Sequence, residues 1–383
     1  MTTVADRSPA LGPAVQPDRA RRILDLAPAV GAFVASRLIV LLALYAAPAL
    51  KPGYVRNSFF SDWDATHYLN IARHGYPQLF VPPNGFDATA AFFPLLPMLT
   101  RALSTVTGLS VKTSGILVAN AATLLAACVI WILAKRMIGR EAASIAVALI
   151  SFWPASFILS MVYSDGLLLL FAAACLLALY RERWIWASVF GFLAALSRPN
   201  GIVLCLCAGW AGYQSIRQRR WQWTVILPII APLAAFGGYC LYLWAELGTI
   251  TAWFKAEKRG WHANFDFGHR WLSDISVALH HPTSRIDLVA STVAGLIGIA
   301  LLIWMIQSRM PAILSIYSAG ILILALGSGF GGSIPRFVID AFPLFFVPAA
   351  RLKLSVNMLI IGLSGGAMAI LFGLVELSPR FVP

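Results

Sequence analysis

Charge is scarce in this sequence. Only 12% of its 383 residues are Asp, Glu, Lys or Arg, and the acids are the scarcer kind, 16 against 29 basic residues. Such a composition excludes a disordered chain, which needs high charge and few apolar residues, and a water-soluble domain, in which about a quarter of residues are charged. Alternation of apolar and polar residues at a period of two is missing as well, which removes a membrane β-barrel. The five cysteines (Cys128, Cys175, Cys205, Cys207, Cys240) all fall inside apolar stretches, so neither a disulfide framework nor a thiolate metal site is expected. A long internal repeat is also absent, which disfavours the inverted-repeat transporter architectures.

What the chain does contain is apolar: 59% hydrophobic residues and a mean hydropathy of +0.78. Apolar runs of about 20 residues, the length a helix needs to cross the hydrocarbon layer, recur along nearly all of it. The fold class expected is an all-α polytopic membrane protein of about eleven spans. The net charge of +13 does not point to nucleic acid, because the basic residues sit in short clusters between apolar runs and read as topology signals.

Residues 1–22, rich in Pro, Ala and Arg and without a convincing cleavage site, read as a disordered basic tail in the cytoplasm. Residues 23–383 read as a single transmembrane catalytic domain, with a first outer loop at 48–112 and a second long one at 247–287. The third span is expected to run unbroken over 142–163, and the tenth to return through Pro343 to Arg351. On this topology the inner turns carry Lys135, Arg136, Arg140, Arg181, Arg183, Arg217, Arg219 and Arg220, whereas all six His and most acids fall outside. The chemistry therefore belongs on the outer face, in a cell membrane crossed many times.

The first outer loop is too polar to span a bilayer and too aromatic to be an idle linker. Asp64 precedes a plausible helical turn and suits a capping role. It also stands three and four residues before His67 and Tyr68, which share its face if a helix starts at Ala65, and this makes an acid–base cluster. Asp62 and Asp64 are candidate ligands for a divalent cation such as calcium or manganese, although two oxygens do not define a site. Arg198, at a Pro199-Asn200-Gly201 break, and Arg336 either bind an anion with their bidentate forks or snorkel to headgroups. The stretch with Trp253, Glu257 and Trp261 either lies flat at the interface or covers a substrate. Arg37, inside the first span, reads as structural, paired with Asp340 or a backbone carbonyl.

Three motifs in fixed order carry a family resemblance. Trp63-Asp64-Ala65-Thr66-His67-Tyr68, Ile71-Ala72-Arg73-His74-Gly75-Tyr76 and Ala91-Phe92-Phe93-Pro94-Leu95-Leu96-Pro97 resemble the first outer loop of the PIG-V mannosyltransferases, polytopic enzymes of the GT-C class. Tyr163-Ser164-Asp165, Ser197-Arg198-Pro199-Asn200-Gly201 and Pro335-Arg336-Phe337 resemble later elements of that family. Asp62 stands where a basic residue is common, Asp165 where Glu is, and Glu257 where Gln is.

The resemblance implies a GT-C-like bundle that moves a sugar, mannose by expectation, from a polyprenyl-phosphate donor to a lipid or glycan acceptor. Asp64 would be the general base of a single displacement, and Asp62, Trp63, His67, Tyr68, Asp165, Arg198, Asn200, Glu257, Trp261 and Arg336 the substrate-binding set. No cofactor beyond the candidate cation is implied, the partners are the lipid substrates and the membrane, and no nucleic acid is involved. An Ala-rich, Arg-over-Lys composition points to the plasma membrane of a high-GC bacterium. Two other classes stay open on the sequence, a transporter or flippase of a lipid-linked sugar and a non-catalytic subunit of another membrane enzyme.

Overall fold

A backbone surrounded by hydrocarbon has to bond to itself, in helices or in a closed barrel. A computed structural model describes residues 25–50, 59–76, 88–220, 222–261, 263–329 and 331–377; the regular elements among them are helical, and they include no strand. The expected tail at 1–22 lies outside the described residues. In chain order the helices are α1 (Ala27–Leu50), α2 (Asp64–His74), α3 (Leu95–Thr107), α4 (Val111–Ile138), α5 (Arg140–Ser151), α6 (Asp165–Tyr180), α7 (Trp184–Ser197) and α8 (Leu204–Arg217). They continue as α9 (Leu227–Leu247), α10 (Ala252–Trp261), α11 (His269–His280), α12 (Ile286–Gln307), α13 (Ala312–Gly327), α14 (Ile334–Asp340), α15 (Phe346–Arg351) and α16 (Leu354–Leu377).

Helices α1, α4, α9, α12 and α16 are long and apolar enough to cross a membrane, and α6, α7 and α13 are shorter apolar helices. The protein is an all-helical, multi-pass membrane protein. Two expected spans are not continuous. Helix α5 stops at Ser151, ahead of Pro154, and the chain resumes as a 3₁₀ turn over Ser156–Ser160. A second 3₁₀ turn, Phe342–Phe345, separates α14 from α15, with Pro343 near its start. Proline lacks the N–H and clashes with the carbonyl four residues back, so the helix yields at both places.

Backbone groups freed by the first break are bonded by Arg37. Its Nη2 donates to the Ser156 carbonyl at 2.9 Å and its Nη1 to Ser160 Oγ at 2.7 Å. The carbonyl partner expected from the sequence is therefore present. The Asp340 partner is not: that carboxylate faces Asn200 and Arg198 instead, at 3.4 and 3.9 Å.

Charged residues assigned to the inner side meet one another. Asp25, just before α1, contacts Lys135 at the end of α4 (2.9 Å) and Arg140 at the start of α5 (3.1 Å). Arg220 reaches Glu182 at 3.3 Å, and Arg351 donates to the Ser308 carbonyl at 3.2 Å. The starts of α2, α6 and α14 and the end of α7 gather at the opposite end of the bundle, where the site described below lies.

Close helix contact in such a bundle depends on small residues. A Cβ added at Gly166 of α6 would come within 2.5 Å of Thr123 Oγ1 and 3.1 Å of the Ala119 carbonyl on α4. At Gly201, in the turn after α7, it would lie 2.4 Å from Ala194 C and Ala195 N. Those are backbone atoms, and no side-chain rotation relieves the clash. Gly201→Ala is therefore expected to cost about 1–3 kcal/mol, as overpacking does, and to lower the melting temperature in detergent. Gly209→Ala on α8, where nothing lies within 4 Å, is the control and should leave it unchanged or raised.

Candidate active site

The site starts from helix α2. Its buried face (Ala65, Tyr68, Leu69, Ile71, Ala72) seats it on the bundle, and Phe59 just before it is fully buried against Phe60 and Phe372. Trp63, the residue before the helix, holds φ 54° and ψ −127°, a conformation that costs an L residue of order 1–3 kcal/mol and recurs at functional sites. The next residue is Asp64. It does not cap α2 with its side chain; its Oδ2 accepts from Arg336 Nη1 at 2.7 Å.

Arg336 belongs to the first turn of α14 and is 6% exposed. Its Nε and Nη2 donate to the two oxygens of Asp165 at 2.8 and 2.9 Å, and the guanidinium lies 4.5 Å over the Tyr163 ring. This is the bidentate geometry that favours Arg over Lys. Asp165 opens α6 and is 1% exposed, and its Oδ1 also accepts from Arg198 Nη1. Arg198 sits in extended backbone between α7 and the following turn, 5.4 Å from the Phe337 ring. Tyr68, its hydroxyl pushed up to about 12 chiefly by burial, shares a hydrogen bond of 2.7 Å with Ser164 Oγ.

A cavity of about 420 Å³ opens above this cluster. Asp64, Tyr68, Arg198, Asn200 and Arg336 line its polar side, and Phe92, Phe93, Phe236, Trp253 and Trp261 its aromatic side. Helix α10 forms part of that wall, with Ala252 and Ala256 fully buried, which favours the covering role over a helix lying flat at the interface. Glu257 also faces the cavity. Burial pushes its carboxyl up to about 8; nearby Asp64 adds to the rise and Arg198 opposes it.

Phe92 is fixed from three sides. Its ring stacks on His67 at 4.7 Å and meets Trp261 edge-on at 5.5 Å, and its carbonyl accepts from Tyr76 at 2.6 Å and Tyr239 at 2.9 Å. Behind it lies a second cavity of about 440 Å³, lined by Tyr76, Arg101, Tyr239 and Tyr242 among apolar residues.

Of the residues expected from the sequence, Asp64, Tyr68, Arg198, Asn200, Glu257, Trp261 and Arg336 line the first cavity. Asp165 lies beneath it, holding both arginines. Asp62, Trp63 and His67 are outside the lining; His67 acts through Phe92 and Trp261. Among the described residues no three of His, Cys, Asp and Glu converge as metal ligands, and Asp64 is already engaged by Arg336, so the Asp62–Asp64 pair does not fit a cation. Asp340 was missed as a member of the cluster. It stands four residues after Arg336, a spacing that puts both on one face of a helix and could have revealed it.

Removing one partner of a buried ion pair leaves the other uncompensated, at about 3–5 kcal/mol. Asp165→Asn should therefore lower the melting temperature by several degrees, whereas Asp62→Asn, outside the cluster, should leave it unchanged. A thermal melt of the two purified variants checks this.

Comparison with known proteins bears on the whole of this arrangement. ArnT from Cupriavidus metallidurans, solved bound to undecaprenyl phosphate, aligns over 90% of this chain and 69% of its own, at 12% identity and a TM-score of 0.53. An oligosaccharyltransferase of Archaeoglobus fulgidus in its apo form aligns over 91% of this chain at 12% identity and a TM-score of 0.47, and this chain spans only 56% of it. The bundle is that of the GT-C membrane glycosyltransferases. None of the curated proteins compared matches the chain. The family model described as Mannosyltransferase (PIG-V) matches residues 36–227, half of the sequence and the part that holds Asp64, Asp165 and Arg198. The chain belongs to the PIG-V mannosyltransferase family.

Proposed function

We propose that the protein transfers mannose from a polyprenyl-phosphate donor to the hydroxyl of a lipid or glycan acceptor, at the outer face of the plasma membrane. The observation that carries this reading is the convergence of Asp64, Asp165, Arg198 and Arg336 beneath a cavity with one polar and one aromatic side. A phosphodiester needs a cation, a pyranose ring suits an aromatic wall, and the acceptor needs a base. The cavity provides all three. The binding of undecaprenyl phosphate by ArnT supports the donor class.

In the proposed step the acceptor oxygen attacks C1 of the sugar as the bond from C1 to the phosphate oxygen breaks. Asp64 takes the hydroxyl proton, and the polyprenyl phosphate leaves with the electron pair. Arg336 bonds Asp64 through Oδ2, which leaves Oδ1 to face the acceptor. The sequence offers both arginines as candidates for the phosphate, with snorkelling to headgroups as the alternative. The three nitrogens of Arg336 each bond to a carboxylate, so the reading assigns the phosphate to Arg198 and gives Arg336 the positioning of Asp64.

General base catalysis contributes about 10²–10⁴-fold. Asp64→Asn should lower transfer by that factor while the protein still inserts and purifies. Because the change also removes one acceptor of the buried Arg336, the variant should melt somewhat lower, and transfer is compared at a temperature where both proteins are folded. Purified protein in detergent, given polyprenyl-phosphate-mannose or polyprenyl-phosphate-glucose with an envelope lipid extract, is assayed by mass spectrometry of the products. Full activity of the variant would remove Asp64 from the base role. Labelled sugar on an acceptor in detergent, where no vectorial transport exists, would separate transfer from flipping.

A further inference from the structure

The charges around the cavity do not balance. Arg198 and Arg336 are the cations beside it, paired with Asp64 and Asp165, while Asp340, fully buried and with no hydrogen bond to Oδ1 among the described residues, stands outside the lining. With Glu257 ionised, Asp64, Asp165 and Glu257 exceed the two cations by one, and a bound phosphodiester adds a second uncompensated negative charge. Unpaired charges in a partly buried, aromatic-walled site are strongly disfavoured. An anion is therefore favoured when the unpaired acid of the cavity carries a proton.

Glu257 is the acid placed to do so. Asp64 and Asp165 are bonded to guanidinium groups and Asp340 does not line the cavity, whereas Glu257 lines it and no ion pair to Glu257 occurs among the described residues. Facing it across the cavity are Asp64 and Tyr68 of α2, Arg198 after α7 and Arg336 of α14, and His67 of α2 meets Trp261 of α10 edge-on. The 3₁₀ turn Ala88–Ala91, packed against α10, carries no titratable side chain. Helix α9 brings Tyr239, whose hydroxyl is bonded to the Ala90 and Phe92 carbonyls, along with Tyr242 and Glu246. On its own helix, Lys255, Lys258 and Arg259 are exposed, and Lys255 Nζ bonds to Thr249. The burial that lifts its carboxyl up to about 8 points the same way.

We propose that Glu257 binds the anionic donor as a neutral carboxylic acid, donating a hydrogen bond to the phosphodiester, and that its ionisation expels the donor. This rests on the donor class proposed above. A neutral carboxyl adds one O–H donor to a site whose other acids are acceptors only. It also avoids an unpaired carboxylate beside the phosphate. The side chain is thereby a specificity element for a singly charged diester.

The test is direct binding, which needs no turnover. Purified full-length protein in detergent is titrated with polyprenyl-phosphoryl-mannose and with the glucose analogue, diesters whose charge is constant over the range, from about pH 6.5 to about 9.5, and cavity tryptophan fluorescence is followed. Where only the neutral form binds, the apparent Kd rises about tenfold per pH unit above the carboxyl's titration point, about 30-fold between pH 7 and 9.5. Glu257→Gln keeps an N–H donor and cannot ionise, so its Kd should vary by less than about threefold over that range. If Glu257→Gln does not fold, Glu257→Ala takes its place and should likewise lose the pH dependence. A flat wild-type profile, tighter binding at high pH, or an equal rise in Glu257→Gln overturns the role of Glu257. Failure of both diesters to bind at any pH overturns the donor class and this role with it.

Discussion

A guanidinium buried among apolar helices has to be surrounded by acceptors, and Arg336 takes its own from Asp165 and Asp64. That one arrangement fixes the starts of three helices, α2, α6 and α14, against each other. It also determines where the cavity lies, because the polar side of the cavity is the upper surface of this cluster. The aromatic wall is supplied separately, by the segment after α2 and by α9 and α10. Charge is therefore concentrated on one side and shape on the other, as in ligand cavities that are mostly apolar with a few convergent polar groups.

Much of the site was legible in the sequence because topology alone sorts polar residues by side. Asp64, Arg198, Glu257, Trp261 and Arg336 come from distant parts of the chain, yet each lay next to an outer helix end, and the structure brings them to one cavity. The shape of the breaks was not legible. Hydropathy averages over Pro154 and Pro343, so two spans looked continuous where the backbone turns as 3₁₀. The partner of Arg37 was half legible: a carbonyl freed by a break is a typical acceptor for an intramembrane arginine, but which break supplies it depends on packing.

The division of labour among the acids was hidden for the same reason. Asp62 and Asp64 look equivalent as letters two positions apart. Only the three-dimensional path of Trp63, with its positive φ, directs one of them toward Arg336 and leaves the other outside the cavity. Likewise Asp165 and Glu257 both read from the sequence as outer-face acids. One is 1% exposed and bonded to two arginines, and the other lines the cavity with no ion pair among the described residues, which gives them opposite electrostatic characters within one site.

The spacing of the buried cluster along the chain also bears on how the protein is made. Asp165 precedes Arg198 by 33 positions and Arg336 by 171. Chains emerge from their N-terminus and structure forms as they do. Of the two guanidinium partners of the carboxylate at the head of α6, Arg198 is therefore synthesised long before Arg336. The pair to Arg198 is local in the chain, and the pair to Arg336 joins the two halves of the finished molecule.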